Sequence, residues 1–277
     1  MRNLTDMPTQ SRRPVVNLRR AYFECRYGQL HVRTAFPSTG GFDERTPVVC
    51  LHESPRTSRS FAALLPALGV DRSVYACDTP GAGESDAPGA APSIADYAAA
   101  IGDFMDALRL RETDLFGVGT GAAIAVELAI TRGRAVRRLV LAAVPLGAAA
   151  AGAAEPRPVP AAADGSHLAR EWQLSRSVRG AAEPLATFAA GFADELANGI
   201  HGAAAARATA AWRGAERLPL AAQRTLVLRP QGPWGESVAA AARLLPAGGT
   251  EEFPLDGPCL FVDAATVAPR IRAFLDR

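Results

Sequence analysis

A chain of 277 residues with 30 basic and 28 acidic side chains and a formal charge of +2 has room for one large α/β domain and an appendage, and its composition suggests neither disorder nor a fibre. Every basic residue is arginine, which excludes a Schiff-base lysine, and the near balance of charge argues against a nucleic-acid footprint. Cys25, Cys50, Cys77 and Cys259 lie in or beside expected strands without CxxC spacing and read as reduced packing residues of a cytoplasmic protein.

Residues 1–18 read as a loose, flexible arm without the apolar stretch of a signal peptide, and no run approaches the roughly eighteen apolar residues of a membrane span. Alternation on both sides of Tyr27-Gly28-Gln29 marks a hairpin over 20–35, with His31 as a strand residue. Thr46 to Leu51 is a continuous apolar run of the kind that forms a buried parallel strand, ending at His52-Glu53-Ser54-Pro55. A helix is expected over 58–68, then a strand over 73–77 that runs into Asp78-Thr79-Pro80-Gly81-Ala82-Gly83-Glu84-Ser85. Ser93 caps a helix to about Leu108. Asp114 to Leu128 is a short apolar strand entering a small-residue helix through Gly117-Val118-Gly119-Thr120-Gly121, and Arg138 to Val144 is the next strand. Strands alternating with helices predict a doubly wound, mainly parallel sheet, whose sites lie at the carboxyl ends of strands, where His52, Asp78 and Gly119 fall.

From Ala148 the composition turns to Ala, Gly and Pro, followed by helical patterns over 166–178, 184–198 and 201–213. The expected organisation is a core over 19–147 and 219–277, with residues 148–218 as a helical cap or lid. The core resumes with a strand over 225–228, a helix over 236–245, a strand over 250–254 and a helix over 261–275.

The strand ending in His52-Glu53, the Asp78-Thr79-Pro80-Gly81-x-Gly83-x-Ser85 turn, the Gly117-x-Gly119-x-Gly121 frame and the closing Arg270-Ile-Arg-Ala-Phe-Leu helix together resemble the α/β-hydrolase fold superfamily with a helical cap. The resemblance covers about residues 20–277 and implies a Ser-His-Asp triad, which fails at each position. Its nucleophile falls on Gly119. Its acid would follow Thr225-Leu-Val-Leu, where Arg229-Pro230-Gln231-Gly232-Pro233-Trp234 holds no carboxylate. Its histidine falls on Pro258, beside Cys259.

In the resembled family the strand before His52-Glu53 supplies half of an oxyanion hole, with His-Gly the usual pair. Backbone N–H groups of Ser54 and Thr120 are expected to point into the cavity. Glu53 in place of glycine puts a carboxylate near that hole, where an apolar lid would raise its pKa toward a useful general acid or base. The plainer alternative turns Glu53 outward onto Arg56. For His52 the resemblance implies a loop-orienting role, with direct chemistry as the alternative. His167 opens a lid helix and forms an i, i+4 pair with Glu171, fit for proton transfer or simply a surface pair. Gly119 would floor the cavity, Trp172 and Trp234 would wall it, and Pro258 and Cys259 would lie at its mouth.

The expected function is a cofactor-independent, non-hydrolytic acid–base catalyst, a lyase, isomerase or cyclase acting on a small apolar natural-product intermediate through Glu53, His167 and His52. Two alternatives stay open: a binding protein that has lost catalysis, and a hydrolase that activates water directly. The histidines and cysteines lack metal-ligand spacing, so no metal is expected. A small molecule is the expected partner, with neither nucleic acid nor membrane, and a homodimer is compatible with the sequence.

Overall fold

A computed structural model describes residues 16–38, 44–147, 161–179, 183–230, 233–246, 250–255 and 264–277. Its strands are β1 (Val16–Cys25), β2 (Gly28–Pro37), β3 (Arg45–Leu51), β4 (Arg72–Cys77), β5 (Thr113–Val118), β6 (Val136–Ala142), β7 (Arg224–Pro230) and β8 (Thr250–Leu255). They form one sheet in the order β1-β2-β4-β3-β5-β6-β7-β8. The β1–β2 hairpin joins β4 antiparallel, and from β4 onward every pairing is parallel. The expected arm over 1–18 therefore loses Val16, Asn17 and Leu18 to β1, and residues 1–15 lie outside the described residues.

The helices are α1 (Leu64–Leu68), α2 (Ile94–Ala107), α3 (Thr120–Thr131), α4 (Ser166–Arg179), α5 (Leu185–Ala211), α6 (Gly214–Arg217), α7 (Pro233–Ala242) and α8 (Ala264–Leu275). Successive strand residues point to opposite faces, so each parallel strand feeds two cores. Val49, Leu51, Leu115 and Leu141 pack with α2, α3 and α7, whereas Val48, Cys50, Phe116 and Val140 pack with α1 and α8. Full burial of each such aliphatic side chain contributes on the order of 2 kcal/mol.

Two expected helices differ in form. The stretch 58–68 divides into a 3-10 turn at Ser58–Phe61 and the short α1, because Pro66 has no N–H to donate to the carbonyl of Ala62. The expected helices 184–198 and 201–213 are joined as α5, with Gly199 at φ 47° and ψ −127° forming the kink between them. Between β6 and β7 the chain thus runs through α4, α5 and α6. No helix among the described residues is long and apolar enough to cross a membrane.

Candidate active site

The site is set by how closely α3 lies against the end of β3. A Cβ on Gly121 would fall 2.0 Å from the Leu51 carbonyl oxygen, so only glycine lets the helix approach. The Gly121 N–H donates to the His52 carbonyl at 3.1 Å and ties the first turn of α3 to the strand end. Gly119 forms the turn from β5 into α3 at φ 54° and ψ −117°, a region in which side chains are strained. Its N–H donates to the Ala142 carbonyl at 3.0 Å, which fixes the turn to β6.

A Cβ on Gly119 would lie 2.9 Å from the Cβ of Glu53 and 3.8 Å from its Oε2. Glu53 therefore occupies the room that a side chain at position 119 would need. Its carboxylate stands near the N-terminus of α3, where the amides of the first turn favour negative charge. Glu53 is half-buried and forms a tight turn in which the Arg56 N–H donates to its carbonyl at 2.9 Å. Ser54 lies inside that turn. Arg56 is buried and pairs with Glu183 and Glu195, both at 3.2 Å.

His52 is fully buried, with both ring nitrogens engaged. Nε2 accepts the Thr79 N–H at 3.0 Å, so Nδ1 carries the proton and donates to the Glu53 carbonyl at 2.9 Å. Burial holds its pKa below the usual histidine range and keeps the ring neutral. That geometry removes His52 from direct chemistry and makes it the brace of the loop carrying Glu53.

α5 crosses these loops. The Asn198 side chain accepts the Gly83 N–H at 2.8 Å and donates to the Pro55 carbonyl, so one amide joins the loops after β3 and β4. Gly202 lies against Pro55, and Gly81 lies against His201. Farther along, the Thr209 hydroxyl donates to the Ala205 carbonyl at 2.8 Å and so accepts from Thr120 at 2.7 Å. The Thr120 side chain thus anchors α5, and its backbone amide remains at the start of α3. Glu127, buried in α3, accepts from Trp212 Nε1 at 2.8 Å and from Arg217 at 2.7 and 2.6 Å, pinning the far end of α5.

The other expected site residues scatter. His167 Nδ1 accepts the Ala162 N–H at 3.1 Å, which closes the turn before α4; this geometry gives the ring a capping role, and its engaged nitrogen is not available as a proton acceptor. Trp172 packs edge-on against Phe188 and Phe192, with ring centroids at 4.6 and 5.1 Å. Trp234 falls within α7, while Gln231, Gly232, Pro258 and Cys259 lie outside the described residues. Among the described residues no group of His, Cys, Asp and Glu is arranged to hold a metal ion. Asn198 and Thr209 were not singled out in the sequence, because an Asn-Gly pair reads as a helix break and a lone threonine in an alanine-rich helix has no signature.

A family model described as alpha/beta hydrolase fold matches residues 46–209. No curated protein matches the chain. Among solved structures, the chain is similar to an enol-lactonase from Burkholderia xenovorans LB400, with 17% identity, 93% of this chain and 100% of that chain covered, and a TM-score of 0.75. It is also similar to the esterase RhEst1 from Rhodococcus sp. ECU1013, with 21% identity, coverage of 94% and 98%, and a TM-score of 0.72. A bromoperoxidase from Bacillus anthracis has 15% identity, coverage of 94% and 100%, and a TM-score of 0.73.

Proposed function

The chain belongs to the α/β-hydrolase fold family, and from that premise we propose that it hydrolyses a small carboxylic ester or lactone using water activated by Glu53. The observation that carries this reading is the 3.8 Å between Glu53 Oε2 and the place where a nucleophile's Cβ would stand. A carboxylate there acts as a general base toward water, which then takes the place of the missing serine as nucleophile. Glu53 takes a proton from water as the water oxygen attacks the carbonyl carbon. The amides of Thr120 and Ser54 stabilise the resulting oxyanion. Collapse expels the alkoxide, which recovers the proton from Glu53, so an ester gives acid and alcohol, a lactone gives one hydroxy acid, and the carboxylate is regenerated. The substrate class is supported by the enol-lactonase and the esterase of the same fold.

The test is hydrolysis of p-nitrophenyl acetate and of a simple γ-lactone by wild type and Glu53→Gln. The expected loss is about 100-fold or more in kcat, with the thermal midpoint unchanged. A variant that keeps wild-type rate on both substrates sinks the proposal. A fluorophosphonate probe is expected to leave residue 119 unlabelled.

A second reading rests on the same carboxylate beside a glycine: proton transfer without hydrolysis, as in an isomerase, lyase or cyclase acting on a small natural-product intermediate. Product analysis separates the two: hydrolysis adds the mass of one water, isomerisation or cyclisation leaves the mass unchanged, and elimination divides the substrate without taking up water. Thermal stabilisation by ligands without turnover of any substrate class would point to binding alone.

A further inference from the structure

Another face of α5 lines a groove that this chemistry does not use. Beyond the kink at Gly199, Gly202, Ala205 and Thr209 follow helical spacing along the face turned to the loops and α3, whereas Ala204, Ala208 and Ala211 follow it along the face turned to the groove. The groove holds about 540 Å³ between that face and the start of α2, with Pro92, Ile94 and Trp212 completing its apolar wall. A smaller cavity of about 210 Å³ adjoins it, and both share Ala91, Pro92, Ala204 and Arg207.

Charge distinguishes Arg207 from its neighbours. Arg217 is held by the buried Glu127, while Arg213 is largely exposed and faces Glu216 across a surface pair. The start of α2 is likewise used internally, since Ser93 and Asp96 cap each other. Arg207 is half-buried and, among the described residues, has no carboxylate or carbonyl partner. Tyr97 and His201 line the smaller cavity with it, and burial pushes the Tyr97 hydroxyl up to about 12, which keeps it neutral. A guanidinium with no carboxylate or carbonyl partner among the described residues, set where the apolar groove meets the smaller cavity, favours a carboxylate, which it can grip through two parallel hydrogen bonds, joined to an apolar body. The combined space falls within the range of small-molecule sites.

We propose that this groove binds an organic monocarboxylate with a medium-length apolar tail, its carboxylate on Arg207 and its tail along Ala204, Ala208, Ala211 and Trp212. The site is separate from Glu53 and does not depend on the hydrolytic reading.

The probe is decanoate, titrated into the full chain by calorimetry and followed by tryptophan emission. Saturable binding is expected, weakened at least ten-fold by Arg207→Gln, while decanol binds wild type and Arg207→Gln alike. Ala208→Trp, which fills the groove without touching the charge, is expected to abolish binding. Arg207→Gln serves alone if that variant fails to fold. Kinetics on p-nitrophenyl acetate are expected to be the same in wild type and Arg207→Gln. Equal decanoate affinity in wild type and Arg207→Gln would overturn the proposal. So would an absence of binding at millimolar decanoate, or binding that is lost in Glu53→Gln and retained in Arg207→Gln.

Discussion

Glu53 and Asp78 follow the carboxyl ends of neighbouring strands, β3 and β4, and their surroundings give them opposite fates. Asp78 is 2% exposed, accepts the Ser58 N–H at 2.7 Å and the Glu84 N–H at 3.1 Å, and meets His31 Nδ1 at 2.8 Å. Burial opposes its ionisation, but the hydrogen bonds from His31 and Ser58 outweigh burial and bring its pKa down to about 2. Its lone pairs are committed to holding the loop together. Glu53, by contrast, is half-buried, lies over a glycine and stands near a helix N-terminus. The two carboxylates thus differ in setting: one is enclosed by donors from three separate segments, the other sits beside a glycine at the start of a helix.

The comparison is sharpened most strongly by Asp78→Asn. Removing a buried charge that several donors hold is expected to cost about 3 kcal/mol in urea unfolding at pH 7. The pH dependence has a definite sign. Because the folded pKa of about 2 lies below the ordinary 3.8, this stabilisation is complete above about pH 5 and is lost as pH falls toward 2. Wild type is therefore expected to lose about 2 kcal/mol across that window through this group, and Asp78→Asn is expected to lose less. Parallel acid limbs in the two proteins would remove Asp78 from the account.

Restoring a serine tests whether Glu53 and Gly119 are matched. Gly119→Ser places a Cβ at positive φ and 2.9 Å from the Glu53 Cβ, and a loss of about 2 kcal/mol is expected. In the double variant with Glu53→Gly the steric part of that loss is expected to be recovered, a coupling of about 1 kcal/mol in a double-mutant cycle. Strictly additive losses would show that the two positions do not contend for one space.

Smaller effects are expected away from the carboxylates. Thr209→Val removes the acceptor for the Thr120 hydroxyl and is expected to cost about 1 kcal/mol, read as a shift in the denaturation midpoint. His167→Ala, which loses one bond to the Ala162 amide, is expected to cost about 0.5 kcal/mol and to leave kcat for p-nitrophenyl acetate unchanged. A large fall in kcat with His167→Ala would restore that residue to the chemistry.

Much of the core was legible because its signals are local. The apolar run Thr46 to Leu51, the Ser93 cap and the Gly117-x-Gly119-x-Gly121 frame specify strand, helix and turn within a few residues, and β3, α2 and the entry to α3 form there. The site was less legible. His52 sits on a strand end in either role, and only the Thr79 amide at Nε2 shows that the ring is a brace. His167 reads as a helix-start residue in the sequence, and only the Ala162 amide at its Nδ1 shows the contact that closes the turn before α4.

By itself the sequence determined the parallel α/β architecture and the glycine at the strand-to-helix turn, since periodicity and backbone permissiveness are properties of short stretches. Only the tertiary structure decided that Glu53 fills the space over Gly119, that Arg56 is taken by Glu183 and Glu195, and that Asn198 joins two loops. Those contacts unite residues far apart in the chain, and their distances follow from how α3 and α5 pack on the sheet. No local pattern carries that packing.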